Sequence, residues 1–463
     1  MASNATNAPV EVQPAYQSAE KIYPREMKGR YATFSRWSTI VLLGLFYVVP
    51  WLQWDSRQAF LFDLPERKFY LLGLTLWPQD FPFLALFLII AAISLFFFTA
   101  LAGRLWCGFA CPQTVWTEAF IWMEQWTEGT RSQRMKLDKA PMSWNKFRRK
   151  SAKQFLWITF SLWTGYTFVG YFTPIREFGV ELVTLQVGGW ALFWTLFYGF
   201  ATYGNAGYMR EQVCKYMCPY ARFQSAMFDK DTLIISYDEK RGEPRGRRKR
   251  DLDYKAAGLG DCIDCTLCVQ VCPTGIDIRE GLQYECIACG ACVDACNSIM
   301  DKMNYPRGLV RFTTEHALAG EKTRVFRPRT LVYATLLTLL MTGLVTSMVL
   351  RTPVILDVIR DRNALYRELP GNLIENTYTV KLINQTNRPR EFVLSAAGLP
   401  GLALDGAPET ITVEGGGVAS LPVRVRVGQG EIRGSRPIAF TATPVDNADD
   451  ARVSESRFVG PVR

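Results

Sequence analysis

The sequence predicts a multi-domain membrane protein: an α-helical transmembrane bundle, a cysteine-rich domain inserted into it, and a C-terminal immunoglobulin-like β-sandwich. Three observations predict this. The 463-residue chain is 49% hydrophobic, and its apolar residues gather in long blocks instead of spreading over two or three soluble domains. Eight of its 12 cysteines fall in two runs of identical spacing, "CIDCTLCVQVC" and "CIACGACVDAC". Residues 352–463 alternate apolar and polar positions in short segments between turn residues, and contain no cysteine.

The apolar blocks supply five expected spans, near residues 37–54, 81–102, 154–173, 188–203 and 330–350. Each has roughly 17–22 residues, enough for a hydrocarbon core of ~30 Å at ~1.5 Å of rise per residue. The fourth is the shortest and carries several glycines. Trp37, Trp51, Trp54, Tyr171 and Trp190 sit near span ends, as an interfacial aromatic belt requires. Lys and Arg set the orientation. The loop at 103–153 carries ten of them and the segment 205–329 includes "RGEPRGRRKR", whereas the loops at 55–80 and 174–187 carry three and one. The N-terminus and the two basic segments are therefore expected inside, and the C-terminal region outside. The net charge of +10 is mostly this topology signal. No stacking aromatics accompany the basic run at 241–250, so the expected partner is the lipid bilayer and not nucleic acid. The first 36 residues are polar and lack a signal-peptide cleavage pattern, so no processing is expected.

The expected organisation follows in order. Residues 1–36 form an inside N-terminal arm, and 37–204 a four-span membrane region with a first C-x-x-x-C-P unit. Residues 205–329 form an inside segment with a second such unit and the cysteine-rich domain at about 255–305. Residues 330–350 are the fifth span. In 352–463, "YTVKLIN", "REFVLSA", "ETITVEG", "VASLPVRVRV" and "RPIAFTATPV" read as strands of the outside sandwich.

Both cysteine runs read C-x2-C-x2-C-x3-C, the pattern of bacterial two-cluster ferredoxins, in which the fourth cysteine of each run ligates the other cluster. Cys262, Cys265, Cys268 and Cys296 are therefore assigned to one [4Fe–4S] centre, and Cys286, Cys289, Cys292 and Cys272 to a second. A pair of structural zinc sites would also use four thiolates each, but the double run suits clusters better. Asn297 stands where the first run has Pro273; that proline shapes a turn and is not a ligand. Such a domain relays single electrons and needs a reducing compartment.

The remaining cysteines form two further pairs. "WCGFACP" holds Cys107 and Cys111, and "CKYMCP" holds Cys214 and Cys218, each pair just past an apolar block. Span, outside loop, span and C-x-x-x-C-P thus repeat in one direction. That relates the units by an axis along the membrane normal and brings both pairs to the inner face. Spacing i, i+4 puts the two thiols of a pair on one helical face. The stretches after each proline, "TVWTEAFIWMEQW" and "ARFQSAMF", read as amphipathic interfacial helices. Cys107, Cys111, Cys214 and Cys218 are taken as a candidate catalytic and metal site for copper or an additional cluster, since thiolates favour Cu(I), zinc or iron–sulfur units. A dithiol–disulfide relay and simple packing of small apolar side chains are the alternatives. Met209 and Met217 could add thioether donors, and Gly103 and Gly108 are read as easing helix packing. The single histidine, His316, excludes bis-histidine haem within the chain and is read as a solvated loop residue. No P-loop, dinucleotide fingerprint or hydrolase triad can be assembled.

This order of elements, with "MDKMNYPRGLVRF" following Cys296, resembles the FixG/RdxA/CcoG family, the cbb3-type cytochrome c oxidase accessory proteins of bacterial inner membranes. The resemblance covers nearly the whole chain beyond the N-terminal arm. It implies a cupric reductase that converts Cu(II) to Cu(I) in support of copper delivery and cbb3-type oxidase assembly. The implied cofactors are the two [4Fe–4S] clusters, with copper as substrate or ligand. The implied location is the inner membrane, with the N-terminus and clusters cytoplasmic and the sandwich periplasmic. The implied partners are oxidase assembly factors, copper chaperones or a copper transporter, and an electron donor that the sequence does not name. Two other readings stand beside it. One is a polyferredoxin-type quinol dehydrogenase, opposed by the terminal sandwich and by the lack of an S-G-A-T flavin-attachment motif. The other is a non-redox assembly scaffold with structural clusters.

Overall fold

A computed structural model describes residues 21–54, 57–250, 252–361, 364–386 and 388–461. The described chain divides into two compact units, one within Met1–Trp51 and Ala91–Leu337, the other within Leu52–Ile90 and Thr338–Arg463.

Among the described residues, three helices are long and apolar enough to cross a membrane: Arg30–Trp51, Phe81–Ala102 and Pro328–Val349. The second expected span coincides with Phe81–Ala102. The fifth begins two residues early, at Pro328, where the ring's fixed φ suits a first helical turn. The first begins at Arg30 instead of residue 37, so its basic end belongs to the helix. The third and fourth depart further from expectation. The third lies in the 26-residue helix Trp144–Val169, capped by Ser143, whose side chain accepts from Lys146 N at 3.3 Å. Lys146, Arg148, Arg149, Lys150 and Lys153 occupy its first half, which leaves a short apolar remainder. The fourth, Gly189–Thr202, has 14 residues. That is ~21 Å at ~1.5 Å per residue, less than a hydrocarbon core of ~30 Å. It continues as a π-helix, Tyr203–Met209. The two helices approach closely at Gly165, where a Cβ would lie 2.2 Å from Thr195 O.

In the second unit, the segment read as a plain loop at 55–80 carries a three-stranded antiparallel sheet, Phe60–Asp63, Lys68–Leu71 and Leu74–Leu76. The C-terminal region is a sandwich of two antiparallel sheets. One has the order Ala403–Asp405, Val418–Gly428, Leu373–Asn384, Val354–Arg360, with Arg367–Leu369 also paired to Leu373–Asn384. The other has the order Ile411–Val413, Arg390–Ala397, Ser435–Pro444, Arg452–Val459. The register runs from Leu373 opposite Gly428 to Ile383 opposite Val418. Period-two alternation turns Tyr378, Val380 and Leu382 inward against Phe392, Phe440 and Phe458. The five expected strand segments all fall on strands of this immunoglobulin-like fold; Val354–Arg360, Arg367–Leu369, Ala403–Asp405 and Arg452–Val459 are additional.

Candidate functional site

The two cysteine runs fold as matching loops. In each, the residue two after the first cysteine and the residue after the second cysteine have positive φ: Asp264 (52°) and Thr266 (56°), then Ala288 (53°) and Gly290 (75°). Three of these four carry a Cβ, which makes the left-handed conformation costly away from a functional site. Such reversals turn backbone N–H groups inward and form concave nests of the kind found at iron–sulfur sites. Each loop leads into a helix, Leu267–Gln270 and Ala291–Met303. The strands Ile234–Tyr237 and Val310–Thr313 pair behind them. Ile235, Tyr237, Val293, Met300 and Val310 build the local core.

One cavity is lined by Cys262, Cys265, Cys268 and Cys296, with Arg279 on its wall. Another is lined by Cys272, Cys286, Cys289 and Cys292, with Cys268 also on its wall. Each expected set of four thiols therefore shares one cavity, including the crossed fourth cysteine. Among the described residues, no three Cys, His, Asp or Glu side chains converge closely enough for a single ion. A cuboidal cluster holds its thiolates at the corners of a larger cage. Burial pushes the Cys268 and Cys296 thiols up to about 12 and the Cys286 thiol up to about 11. The loops thus lack enough countercharge of their own, and an iron–sulfur core fits them by supplying it.

The C-x-x-x-C-P units correct one expectation. The two thiols of a pair do not share a helical face. Cys107 lies in the short helix Leu105–Phe109, whereas Cys111 is extended (φ −62°, ψ 130°) at the start of Pro112–Glu128. Cys214 lies in the π-helix Val213–Met217, and Cys218 is extended (φ −81°, ψ 108°) before Pro219–Ala226. The physical reason is the proline. It drives the preceding residue out of the helical region and opens a new helix behind it. The internal repeat persists in the backbone: four residues before each first cysteine, Gly103 (φ 58°) and Arg210 (φ 41°) are both left-handed. At Gly103 even a Cβ is excluded, since it would lie 2.6 Å from Leu233 O.

The repeat brings the four thiols into one neighbourhood, although no three of them converge closely enough for a single ion. Cys107 is within electrostatic range of Cys111, Cys214 and Cys218, and the other three thiols are within range of one another. Burial, reinforced by mutual repulsion, pushes Cys107 up to about 12 and Cys214 up to about 11, and raises Cys111 as well. Cys107 Sγ donates to Gln224 Oε1 at 3.1 Å. Met217 lines a surface recess beside Cys218 with Tyr216 and Phe223; Met209 closes the Tyr203–Met209 segment. His316 is not a plain loop residue. It lies in the short helix Glu315–Ala319, with Nδ1 2.8 Å from Asp231 Oδ1.

Two features tie the four thiols to the second cysteine loop. A Cβ on Gly108 would lie 2.7 Å from Ile287 O, 2.9 Å from Ala288 O and 2.9 Å from Cys289 Cα. Backbone therefore rests on backbone, and only glycine permits it. Arg104, only 4% exposed, donates to the carbonyls of Tyr284 and Cys286 and, through its other terminal nitrogen, to Ala221 O and Ser225 Oγ. Its guanidinium acts electrostatically on Cys107, Cys286, Cys214 and Cys218 together. A cation in that position favours thiolate over thiol. Arg104 went unnoticed in the sequence. Its signal was a lone arginine at the end of an apolar block, three residues before Cys107.

A second group missed by the sequence reading is ionic. Glu124 and Glu128 of the Pro112–Glu128 helix are fully buried. Glu124 pairs with Arg210 (2.9 Å), Arg134 (3.2 Å) and Lys21 (3.3 Å), and Glu128 with Lys150 and Lys153 (both 3.0 Å). Burial acts to raise the Glu124 carboxyl, but Arg210, Lys21 and Arg134 prevail and hold it at about 2. From residue 21 the N-terminal arm is a fixed strap. Tyr23 donates to Asp138 (2.5 Å), Arg134 to Pro24 O (2.9 Å), and Arg25 N to Gln270 O (2.9 Å). Asp294, in the helix that follows the second loop, accepts from Ala32 N at 2.8 Å. A carboxylate is stabilised at that positive end of the first membrane helix. Two acids four residues apart in an amphipathic helix were the available signal.

Two four-cysteine cavities, matched cysteine loops and membrane-length helices define an iron–sulfur redox protein of the membrane. Comparison with known families agrees in three places. The "4Fe-4S dicluster domain" matches residues 209–315, the "4Fe-4S binding domain" residues 84–129, and the "IG-like fold at C-terminal of FixG" residues 344–461. Protein RdxB of Cereibacter sphaeroides is 40% identical, over 88% of this chain and 88% of its own length. The nitrogen fixation protein FixG of Rhizobium meliloti is 37% identical, over 90% and 88%. Protein RdxA of Cereibacter sphaeroides is 39% identical, over 84% and 85%. The crystal structure of a FixG-related protein from Vibrio parahaemolyticus is 35% identical, covers 23% of this chain and 96% of that one, and has a TM-score of 0.22. The chain belongs to the FixG/RdxA family.

Proposed function

We propose that this chain is a membrane cupric reductase that converts Cu(II) to Cu(I), in support of copper delivery and assembly of a cbb3-type cytochrome c oxidase. The observation that carries the reading is the backbone contact of Gly108 with Ile287–Cys289, bridged by Arg104. It sets four thiols against the second cysteine loop. Cys262, Cys265, Cys268 and Cys296 hold one [4Fe–4S] cluster, and Cys272, Cys286, Cys289 and Cys292 hold the other. When bound, the clusters supply one-electron storage and relay. Cys107, Cys111, Cys214 and Cys218 take the copper. Cu(II) prefers nitrogen and oxygen ligands and Cu(I) prefers sulfur, so reduction at a thiol site is coupled to capture. Arg104 partly offsets the burial that raises Cys107 and Cys214, and Gln224 accepts from Cys107 Sγ.

In this reading the chain spans the bacterial inner membrane five times, with Gly189–Thr202 extended through the membrane by Tyr203–Met209. The 1–36 arm and the 205–329 segment are cytoplasmic, and 352–463 is periplasmic, within reach of copper chaperones, a copper transporter or oxidase assembly factors. The Lys/Arg asymmetry of the loops supports that orientation. The match of a 4Fe–4S-binding family to residues 84–129, which include Cys107 and Cys111, favours a second occupant of the same thiols: a third cluster.

The test uses the full chain, purified and reduced anaerobically with dithionite, then mixed with Cu(II) and a Cu(I)-specific chelator. Cys111→Ser and Cys218→Ser are expected to abolish Cu(I) formation while iron content stays at the parent level. Iron falling in both variants supports the third cluster. Unchanged rate and unchanged iron overturn the copper reading.

A further inference from the structure

A cavity of about 500 Å³ opens among the N-terminal strap, the Arg30–Val48 helix, the Pro112–Glu128 helix and the second cysteine loop. Small-molecule sites span ~300–1,000 Å³ and are mostly apolar with a few convergent polar groups. This one fits that description. Its apolar walls include Ile121, Trp122, Val271 and Ile287. Its polar groups include Gln113, Thr117 and Glu118 of the Pro112–Glu128 helix, with Arg25, Glu26, Arg36, Arg210 and Glu211 on the other walls. Glu118 Oε2 accepts from Ser35 Oγ at 2.8 Å, which fixes the carboxylate on the cavity wall. Gln113 is anchored in turn, its Nε2 donating to Asn205 O at 2.9 Å and Arg210 O at 3.0 Å.

Two features narrow the ligand. Cys289 and Cys214 both line the cavity, so an occupant touches the second cysteine loop and the four-thiol site at once. Ile40 and Trp126 line it while being 46% and 74% exposed, so it opens to the surface through apolar and amphipathic side chains. Ile40 belongs to a membrane-length helix, and an exposed tryptophan suits the lipid–water boundary. A redox ligand that enters from lipid, has a flat ring and carries hydroxyls for a few polar groups is a hydroquinone.

From this juxtaposition we propose that the cavity is a binding site for a lipid-soluble hydroquinone, the electron donor of the protein, with its ring hydroxyls held by Gln113, Thr117 and Glu118. The inference rests on the redox reading above and names the donor that reading requires. One hydroquinone gives up two electrons and two protons and becomes a quinone. The protons pass to water, and the electrons reduce two Cu(II) ions to two Cu(I). No bond to the protein forms, and atoms and charge balance.

The full chain in detergent is photolabelled with an azido-ubiquinone analogue, digested and mapped. The expected label falls on the Pro112–Glu128 helix or the second cysteine loop, and a short-chain ubiquinone competes while NADH does not. Thr117→Phe pushes a ring into the cavity beside Gln113 and Glu118 and is expected to lower labelling by at least about tenfold. It should lower hydroquinone-driven Cu(II) reduction in parallel, with iron content and dithionite-driven reduction unchanged. Glu118→Gln keeps the shape, removes the charge and is expected to weaken ubiquinone competition by about tenfold, which guards against misfolding of the bulkier variant. Labelling at the cavity without any dithionite-driven copper reduction leaves the donor site standing and removes only the copper reading. Label confined elsewhere, displacement by NADH, or labelling undiminished in both variants overturns the proposal.

Discussion

Gly108→Ala tests the contact on which the functional reading stands. The added carbon would lie 2.7 Å from Ile287 O, 2.9 Å from Ala288 O and 2.9 Å from Cys289 Cα. Non-bonded carbons settle ~3.5–4.0 Å apart, so the two backbones must separate by roughly half an ångström. All three neighbours are main-chain atoms, and no side chain can rotate away to absorb the clash. Overpacking of this kind costs ~1–3 kcal/mol. For a unit of this size each kcal/mol lowers the melting temperature by ~2–4 °C. The variant keeps every cysteine, so its iron content is expected to match the parent. Its dithionite-driven Cu(II) reduction is expected to slow, because Cys107 and Cys111 move away from the Cys286–Cys289 loop. Thermal melting and the chelator assay read the two effects separately. Gly44→Ala is the control, since nothing lies within 4 Å of a Cβ there. If Gly108→Ala melts and reduces copper as the parent does, the two backbones are not in contact, and the coupling argued from them fails.

Iron and acid-labile sulfide are each expected near about eight per chain, and Cys272→Ser should damage the cluster built mainly by the second run; two zinc ions without sulfide would refute this. Glu124→Gln leaves Arg134, Arg210 and Lys21 facing an uncharged amide and should destabilise the chain by ~3–5 kcal/mol in a denaturation series. The folded carboxyl sits at about 2, below its ordinary 4.5, so the unfolded chain takes up the proton first as pH falls. The parent's extra stability is therefore complete above pH 4.5 and lost between 4.5 and 2, and Glu124→Gln should flatten that acid limb. A phosphatase fused after Arg463 should be active and one fused after Arg250 inactive; the reverse pattern sinks the proposed orientation.

Much of this protein was written in local patterns. The C-x2-C-x2-C-x3-C runs specify two four-thiol loops because ligand spacing is a property of a dozen neighbouring residues. The alternation in "YTVKLIN" and "REFVLSA" specifies strands, and the unbroken apolar block at 81–102 specifies a membrane-length helix, for the same reason. Where two local signals compete, their order matters. The i, i+4 spacing of Cys107 and Cys111 pointed to one helical face, but Pro112 breaks the helix between them, since a steric clash with the preceding residue outweighs a side-chain periodicity. The same held for the fourth expected span, whose α-helix passes into a π-helix after Thr202.

The tertiary structure alone decided which remote segments meet. Gly108 touches Ile287, Arg104 reaches Cys286, Glu124 finds Arg210, and Asp294 caps the helix that begins at Arg30. None of these pairs shares a window in which periodicity could reveal it. Hydrophobic patterning records which side chains leave water. It carries no record of which backbone they then face, because that choice is made only when distant segments close on one another, where a single absent methyl at Gly108 decides how near the four thiols and the second cysteine loop can come.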